Sequence, residues 1–197
     1  MNAWQPGQAL LLNTERFLLR SLTVADATDT YVAWWNDAEV QAGLGMRPRG
    51  WGRTEAERHI AKFDNRQRFH LGIFPKHAVL PIGFIALFLE GGARARTNIV
   101  IGNKQYWGQR VVLEVREAAL AFLFERIGVH KVYGQVDSHN FASVFNYKAQ
   151  GFACEGVLRE HTMDADGERH DLVNFGLLRD EWRARRTPGR REPGGVR

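Results

Sequence analysis

Residues 99–114 constrain the fold most strongly, because an apolar strand there runs through a glycine turn directly into a helix. The strand is Ile99, Val100 and Ile101, and the turn contains Gly102 and Gly108. Backbone N–H groups at a helix start have no intrahelical partner, and the helix dipole places partial positive charge there. The segment therefore predicts a site for an anion such as a pyrophosphate.

The composition indicates one domain. The chain has 197 residues, a mass of 22.5 kDa and 44% hydrophobic residues, which is enough for one substantial core. No run approaches the roughly 20 apolar residues of a membrane span, so we expect a cytoplasmic protein with no membrane partner. The single Cys154 forms no internal disulfide, and we expect it to be a small buried residue on a strand.

The positive charge is concentrated at the C-terminus. The net charge is +5, and residues 179–197 hold seven Arg against three acidic residues. We therefore expect a folded domain over residues 10–182 and a disordered basic tail over residues 183–197. The tail is either a solubilising segment or an RNA-binding arm; the first is favoured, so a nucleic-acid partner is not expected.

Hydrophobic periodicity and turn signals predict the element order βααβββαβαββ. Thr23 opens a capping box for the first helix, Gly128 ends the long one, and a hairpin turn lies at residues 164–167. The predicted strands are residues 17–20, 69–74, 82–89, 98–102, 131–136, 152–162 and 171–178. The predicted helices are residues 23–35, 54–65, 109–127 and one that begins at Asn140.

A second segment, residues 140–152, reads as a short helix that Asn140 caps and Gly151 ends. In this order, the two segments resemble the coenzyme A loop and the following helix of the GNAT acetyltransferase superfamily, and the ribosomal-protein-alanine acetyltransferase branch is the nearest match. The resemblance covers nearly the whole chain. It implies a single-domain α+β fold (mixed α/β), the GNAT fold, with a splayed, mostly antiparallel sheet flanked by helices on both faces.

The resemblance also implies the chemistry. It predicts an N-acetyltransferase that uses acetyl-CoA as acyl donor, with the thioester held where the strands at residues 98–102 and 131–136 splay apart. Tyr147 matches the family's tyrosine that protonates the departing thiolate. The implied coenzyme contacts are Ile99, Val100, Ile101, Trp107, Gly108, Gln109, Arg110, Val111, Val112, Asn140, Ser143 and Lys148.

The coenzyme loop departs from the family pattern at two positions. The family has glycine, and then glycine or alanine, where this chain has Arg110 and Val112. Glycine lets the backbone approach the pyrophosphate, so the Arg110 side chain either intrudes or swings out and pairs with a phosphate. The departure motivates an alternative function, a non-catalytic protein that binds acyl-CoA or docks a partner.

Each proposed catalytic residue has a structural alternative. Tyr147 would ordinarily be a core aromatic, and Asn140 and Ser143 would ordinarily be helix caps. In the resembling family the last two positions also contact the pantetheine arm or a catalytic water. For the general base, His139 and Asp137 lie at the mouth of the splay; a water chain is the alternative.

The acceptor amine is expected to meet the first two helices and the loop between them. Aromatic faces and cationic groups there suit an anionic or sugar-phosphate amine, although a protein N-terminus also remains open. The predicted contacts are Trp34, Trp35, Asn36, Arg47, Arg49 and Arg53. His161 and His170 face each other in the predicted hairpin without a third ligand, so no metal is expected. The assembly is expected to be a monomer or a homodimer.

Overall fold

The computed structural model describes residues 4–164 and 166–186. Eight strands form one sheet in the order β1-β2-β3-β4-β5-β6-β8-β7, and every neighbouring pair is antiparallel except β5 and β6. This confirms the predicted mixed, mostly antiparallel fold. The strands are β1 (Leu11–Asn13), β2 (Phe17–Ser21), β3 (Arg68–Pro75), β4 (Gly83–Glu90), β5 (Arg94–Ile101), β6 (Lys131–Asp137), β7 (Ala153–Met163) and β8 (Arg169–Leu178).

Six α-helices pack around this sheet within the described residues. They are α1 (Asp29–Asn36), α2 (Ala38–Ala42), α3 (Arg53–Ile60), α4 (Val111–Ala121), α5 (Phe141–Ala149) and α6 (Arg179–Arg186). The helix α4 continues as a π-helical turn over Phe122–Ile127. Single 3₁₀ turns lie at Val24–Asp26 and Lys104–Tyr106.

Two hydrophobic cores lie on opposite faces of the sheet, because successive strand residues point to opposite sides. Ile73 and Ile85 belong to the core under α4, α5 and α6, whereas their neighbours Phe74 and Phe84 belong to the core under α1, α2 and α3. The sheet is therefore covered by helices on both faces, as predicted.

The strands β5 and β6 separate after three residue pairs. Arg94, Ala95 and Arg96 pair with the first three residues of β6, up to Tyr133. Beyond them β5 continues with β4 to Ile101, and β6 continues with β8 to Asp137. The sheet therefore opens between these two strand ends, which is the predicted splay.

Several predicted boundaries were wrong. The Thr23 capping box exists but serves one 3₁₀ turn, and α1 begins only after Thr28, whose hydroxyl accepts the N–H of Tyr31. The strand β5 begins at Arg94 rather than at residue 98. The prediction missed its first half because Arg94 and Arg96 alternate with the buried Ala95 and Thr97, and the apolar signal is weak there. The structure also adds β1, α2 and α6 to the predicted order.

Two predictions near the C-terminus need correction. Cys154 is exposed, because β7 is the edge strand and most of its residues face solvent. The helix α6 includes Arg183 and extends to Arg186, so the first four residues assigned to the tail are helical. Residues 187–197 of the predicted tail lie outside the described residues.

Candidate active site

The loop between β5 and α4 is held by its own backbone and side chains. Gly102 donates its N–H to Ile82, and the Asn103 side chain accepts the N–H of Gln105 to open the 3₁₀ turn. The Trp107 indole N–H donates to the Ile101 carbonyl at 2.8 Å. These bonds aim the chain from the strand end into the helix start.

Arg110 adopts the left-handed backbone conformation that glycine normally supplies. Its φ is +59° and it caps α4, while Gly108 before it has φ +74°. The helix therefore begins at Val111, not at the predicted Gln109. The first helical N–H to find an acceptor is that of Glu114, which donates to Arg110 at 3.3 Å, so the three preceding N–H groups have no intrahelical partner. The backbone keeps the shape of a phosphate cradle although the glycine is absent.

Glu114 ties this helix start to the first strands. It accepts hydrogen bonds from the Thr14 hydroxyl at 2.6 Å and the Arg16 N–H at 2.8 Å, and it pairs with the Arg16 guanidinium at 2.6 Å. Arg16 also donates to the Gln109 carbonyl at 3.1 Å. Partial burial raises the pKa of Glu114, but these hydrogen bonds outweigh burial and hold it below its ordinary value. The sequence analysis did not identify Glu114 or Arg16.

The residues of β5 that were assigned to the coenzyme alternate between the two faces of the sheet. Val100 is buried in the core under α1, whereas Ile99 and Ile101 pack partly buried against the opposite core. On the turn that follows, Trp107, Gly108 and Gln109 are exposed, and at the start of α4 Val111 is buried and Val112 half-buried.

The helix α5 begins beside the splay. The Asn140 side-chain oxygen accepts the N–H of Ser143 at 3.0 Å, which makes it the predicted cap, and its amide donates to Gly43 at 2.6 Å. Asn140 therefore joins α5 to the end of α2. Ser143 is half-buried on the first turn, and Lys148 is exposed near the end of the helix.

Tyr147 is buried on α5 with its hydroxyl directed at β6. Its ring stacks on Phe175 with centroids 5.0 Å apart and meets Phe152 edge-on at 5.0 Å. A Cβ at Gly134 would overlap the Tyr147 hydroxyl, so only glycine admits it. Because Gly134 is the first residue of β6 beyond the pairing with β5, the hydroxyl lies at the splay.

A buried guanidinium also lies against the Tyr147 ring. Arg116 of α4 is only 2% exposed, and its Cζ is 4.1 Å from the ring centroid of Tyr147. It donates to the Gln150 side chain at 3.0 Å, and Gln150 donates in turn to the Leu113 carbonyl at 3.0 Å. Burial lowers the pKa of Arg116, and the nearby Tyr147 raises it in part. Sequence reasoning missed this residue; its one signal was a charge on the apolar face of a predicted helix.

The far end of β6 carries a cluster of Asp137 with two histidines. Asp137 accepts the N–H of His139 and the hydroxyl of Thr162, both at 2.9 Å, and both its oxygens lie 3.1 Å from His170 Nδ1. Partial burial raises the pKa of Asp137, but these bonds outweigh burial and lower it. The exposed His139 ring lies 3.9 Å from the His170 ring, centroid to centroid. The structure thus joins the two predicted base candidates through a histidine from β8.

The predicted opposition of His161 and His170 was wrong. The ladder places Thr162 opposite His170, because β7 has an irregularity between Leu158 and Thr162. Glu160 lies inside this irregularity in the left-handed conformation, with φ +48°. A bulge inserts residues into one strand and so changes which side chains face the partner.

The predicted acceptor residues form a compact aromatic layer rather than an open pocket. Trp34 and Trp35 are 4% and 7% exposed and belong to the core under α1. Asn36 exchanges two hydrogen bonds of 2.8 Å with the Trp51 backbone. The Arg49 guanidinium carbon lies 5.4 Å from the Trp35 ring and 5.7 Å from the Trp51 ring.

The remaining cations of this group are exposed. Arg53 pairs with Glu57 at 3.0 Å, and Arg47 lies on the surface. Trp34 is the one predicted acceptor residue that lines the cleft of about 540 Å³ beside the turn after β5, where it packs against Gly102. The structure therefore gives little support to an arginine-lined pocket.

The opened sheet, the helix start beside it and the tyrosine at the opening are the features that the resemblance implied for an acyltransferase. A family model described as an acetyltransferase (GNAT) domain matches residues 16–153. The chain belongs to the GNAT acetyltransferase family, as the sequence motifs indicated. No curated protein matches the chain.

Solved structures share this fold at low sequence identity. A spermidine N-acetyltransferase from Vibrio cholerae, in complex with CoA and spermine, has a TM-score of 0.76 and 20% identity and aligns over 85% of this chain and 98% of its own. A GNAT-family acetyltransferase from Bacillus anthracis has a TM-score of 0.74 and 17% identity, over 87% and 100%. A candidate ribosomal-protein-serine acetyltransferase from Vibrio cholerae has a TM-score of 0.70 and 20% identity, over 88% and 99%.

The helices of the described residues are all too short or too polar to cross a membrane.

Proposed function

We propose that the protein transfers the acetyl group of acetyl-CoA to a primary amine by direct attack of the amine on the thioester. The observation that carries this proposal is the position of the Tyr147 hydroxyl at the splay. The Tyr147 ring stacks on Phe175 of β8, and its hydroxyl lies against Gly134 of β6. A buried, fixed hydroxyl at this point is suited to protonate the thiolate as it leaves.

The start of α4 is the proposed pyrophosphate site. Its free N–H groups and the helix dipole attract the anion, and the exposed Arg110 adds a cation at the same turn. The half-buried Ser143 and the exposed Lys148 are proposed to contact the pantetheine arm and a phosphate. Asn140 already bonds Ser143 and Gly43, so we assign its coenzyme contact to the side-chain oxygen, which has a second lone pair.

The proton lost by the amine leaves at the other end of the splay. We assign its removal to the exposed imidazole of His139, whose backbone N–H is fixed by Asp137 and whose ring rests on His170. Substitution of His139 by Gln is expected to lower kcat about 100-fold and leave acetyl-CoA affinity unchanged. An unchanged kcat would assign the step to water instead.

The acceptor remains either a small-molecule amine or a protein N-terminus. The predicted preference for an anionic amine is weakened, because Arg49 and Arg53 are engaged by Trp35, Trp51 and Glu57. The non-catalytic alternative is not favoured, because a GNAT domain is present and the tyrosine is positioned at the splay.

The test is acetyl transfer to a panel of amines and N-terminal peptides, measured through the release of CoA. The assay uses a Cys154→Ser background, because the exposed thiol would react with thiol reagents. Tyr147→Phe is expected to lower kcat by about 100-fold or more while the Kd for acetyl-CoA stays unchanged. Tyr133→Phe is the matched control, because the hydroxyl that it removes bonds Glu90, and it should keep full activity. Equal kcat values in the two variants would refute the assignment, and no transfer to any acceptor would refute the function.

We also propose a cytoplasmic location. The single cysteine is free and exposed, which suits a reducing compartment. Fractionation of cells that express the tagged protein tests this.

A further inference from the structure

His170 is buried at the start of β8 and is held in one tautomer. It is about nine-tenths buried, and its Nδ1 lies 3.1 Å from both oxygens of Asp137. An ionised carboxylate only accepts hydrogen bonds, so Nδ1 carries the hydrogen and donates it. The lone pair of the neutral ring is therefore on Nε2.

This Nε2 atom faces two carboxylates across the β7–β8 hairpin. It has no hydrogen-bond partner among the described residues, and Asp164 Oδ2 lies 3.4 Å away. One ligand atom from each of Asp164, Glu168 and His170 lies within 4.8 Å of the others. A lone pair pointing at two anions is unfavourable unless a cation stands between them.

The hairpin turn orients Asp164 toward the histidine. Its Oδ1 accepts the backbone N–H groups of Asp166 at 2.8 Å and Glu168 at 2.9 Å, which leaves Oδ2 to face His170. The turn therefore holds the Asp164 carboxylate in place without any ligand.

We propose that His170 Nε2, Asp164 and Glu168 bind a divalent transition-metal ion of the Zn²⁺ class. One imidazole and two carboxylates are common ligands of Zn²⁺, and three protein ligands leave a fourth position for water. The hydrogen bond from His170 to Asp137 is the carboxylate–histidine arrangement that orients metal-binding histidines. The ion would link the β7–β8 hairpin to the end of β6, beside His139.

The experiment measures Zn²⁺ binding by the full-length, tag-free protein, in competition with a chromophoric chelator and without acetyl-CoA. We expect one site of micromolar or lower Kd and a Tm that rises with the Zn²⁺ concentration. His170→Gln should weaken binding about 100-fold, and Asp137→Asn about tenfold or more. His161→Gln removes a histidine from the same hairpin without touching the site, so its Kd should match that of the wild-type protein.

Glu168→Gln keeps the test sound if His170→Gln disturbs folding, because Glu168 is exposed. It should weaken Zn²⁺ binding at least tenfold while the Tm without metal stays the same. A Kd in the millimolar range, or equal Kd values in the wild-type, His170→Gln and Glu168→Gln proteins, would overturn the proposal and leave a proton as the cation on Nε2. All these readouts are independent of acetyl transfer.

Discussion

Arg110 gives the sharpest test of how this protein holds its acyl donor. With φ at +59°, it bears a conformational cost of roughly 1 kcal/mol that glycine would not. Arg110→Gly removes that strain. It also gives the unfolded chain more conformational freedom, which lowers the free energy of unfolding by about 0.4–1 kcal/mol. The two effects nearly cancel, so we expect the free energy of unfolding to change by less than about 1 kcal/mol. Coenzyme binding is then compared at nearly equal stability.

The binding change follows from charge. The Arg110 side chain is exposed beside the start of α4, so it is free to pair with a phosphate that the helix N–H groups hold. Arg110→Gly and Arg110→Asn, which both accept a left-handed backbone, should raise the Kd for acetyl-CoA about tenfold. Arg110→Lys should stay within about threefold, and high salt should shrink the differences.

Isothermal titration calorimetry with acetyl-CoA measures these values, and denaturant unfolding checks stability. Arg126→Asn is the matched control, since it removes one exposed cation from the far end of the same helix and should leave the Kd for acetyl-CoA unchanged. If Arg110→Gly binds acetyl-CoA as tightly as the wild-type protein, the Arg110 side chain does not pair with a phosphate. If it binds acetyl-CoA more tightly, the side chain intrudes on the phosphate site. Either result refutes the reasoning.

Three further predictions concern the packing around the site. Gly134→Ala should lower the free energy of unfolding by about 1–3 kcal/mol and remove most of kcat. Both losses should be smaller when Gly134→Ala is made in a Tyr147→Phe background. Additive effects in denaturant titrations would contradict the predicted overlap. Glu114→Gln should lose about 1 kcal/mol at pH 7 after allowance for solvent screening. Because the folded pKa of Glu114 lies below its ordinary 4.5, the stabilisation is complete above that value and disappears as pH falls through the folded pKa, so unfolding curves of the two proteins should converge in acid; a constant gap would refute this. Arg116→Met should change the free energy of unfolding by less than about 1 kcal/mol. Gln150→Leu should lower it by about 2–3 kcal/mol, because it removes the hydrogen-bond acceptor of the buried Arg116 guanidinium. The reverse order in thermal unfolding would show that the buried charge itself stabilises the fold.

Local patterns were sufficient to predict the main elements and the turn that leads from β5 into α4. The strand–turn–helix passage, the Asn140 cap and the glycine that ends the π-helical turn each depend on residues a few positions apart. Tyr147 was singled out as a candidate because its spacing from Asn140 resembles the family motif. The fold class follows from the alternation of such segments, which is why the order of the main elements was predicted correctly.

The surroundings of the candidate base and acceptor residues are decided by contacts between residues far apart in the chain. Asp137 and His170 are separated by 33 residues, and they meet because β6 pairs with β8, which places Asp137 opposite Leu172, two residues from His170. The aromatic residues near α1 looked like a binding surface, but the closeness of β4 makes Trp35 a core residue. Arg116 of α4 is buried because α4 packs against Tyr147 and Gln150 at the end of α5.

The sequence by itself determined the type and order of the main helices and strands, because capping, glycine conformations and hydrophobic periods act over one or two turns. Only the tertiary structure decided which side chains share a site. Strand register and helix packing depend on the whole core at once, and a shift of one residue in a strand exchanges the faces of all its side chains.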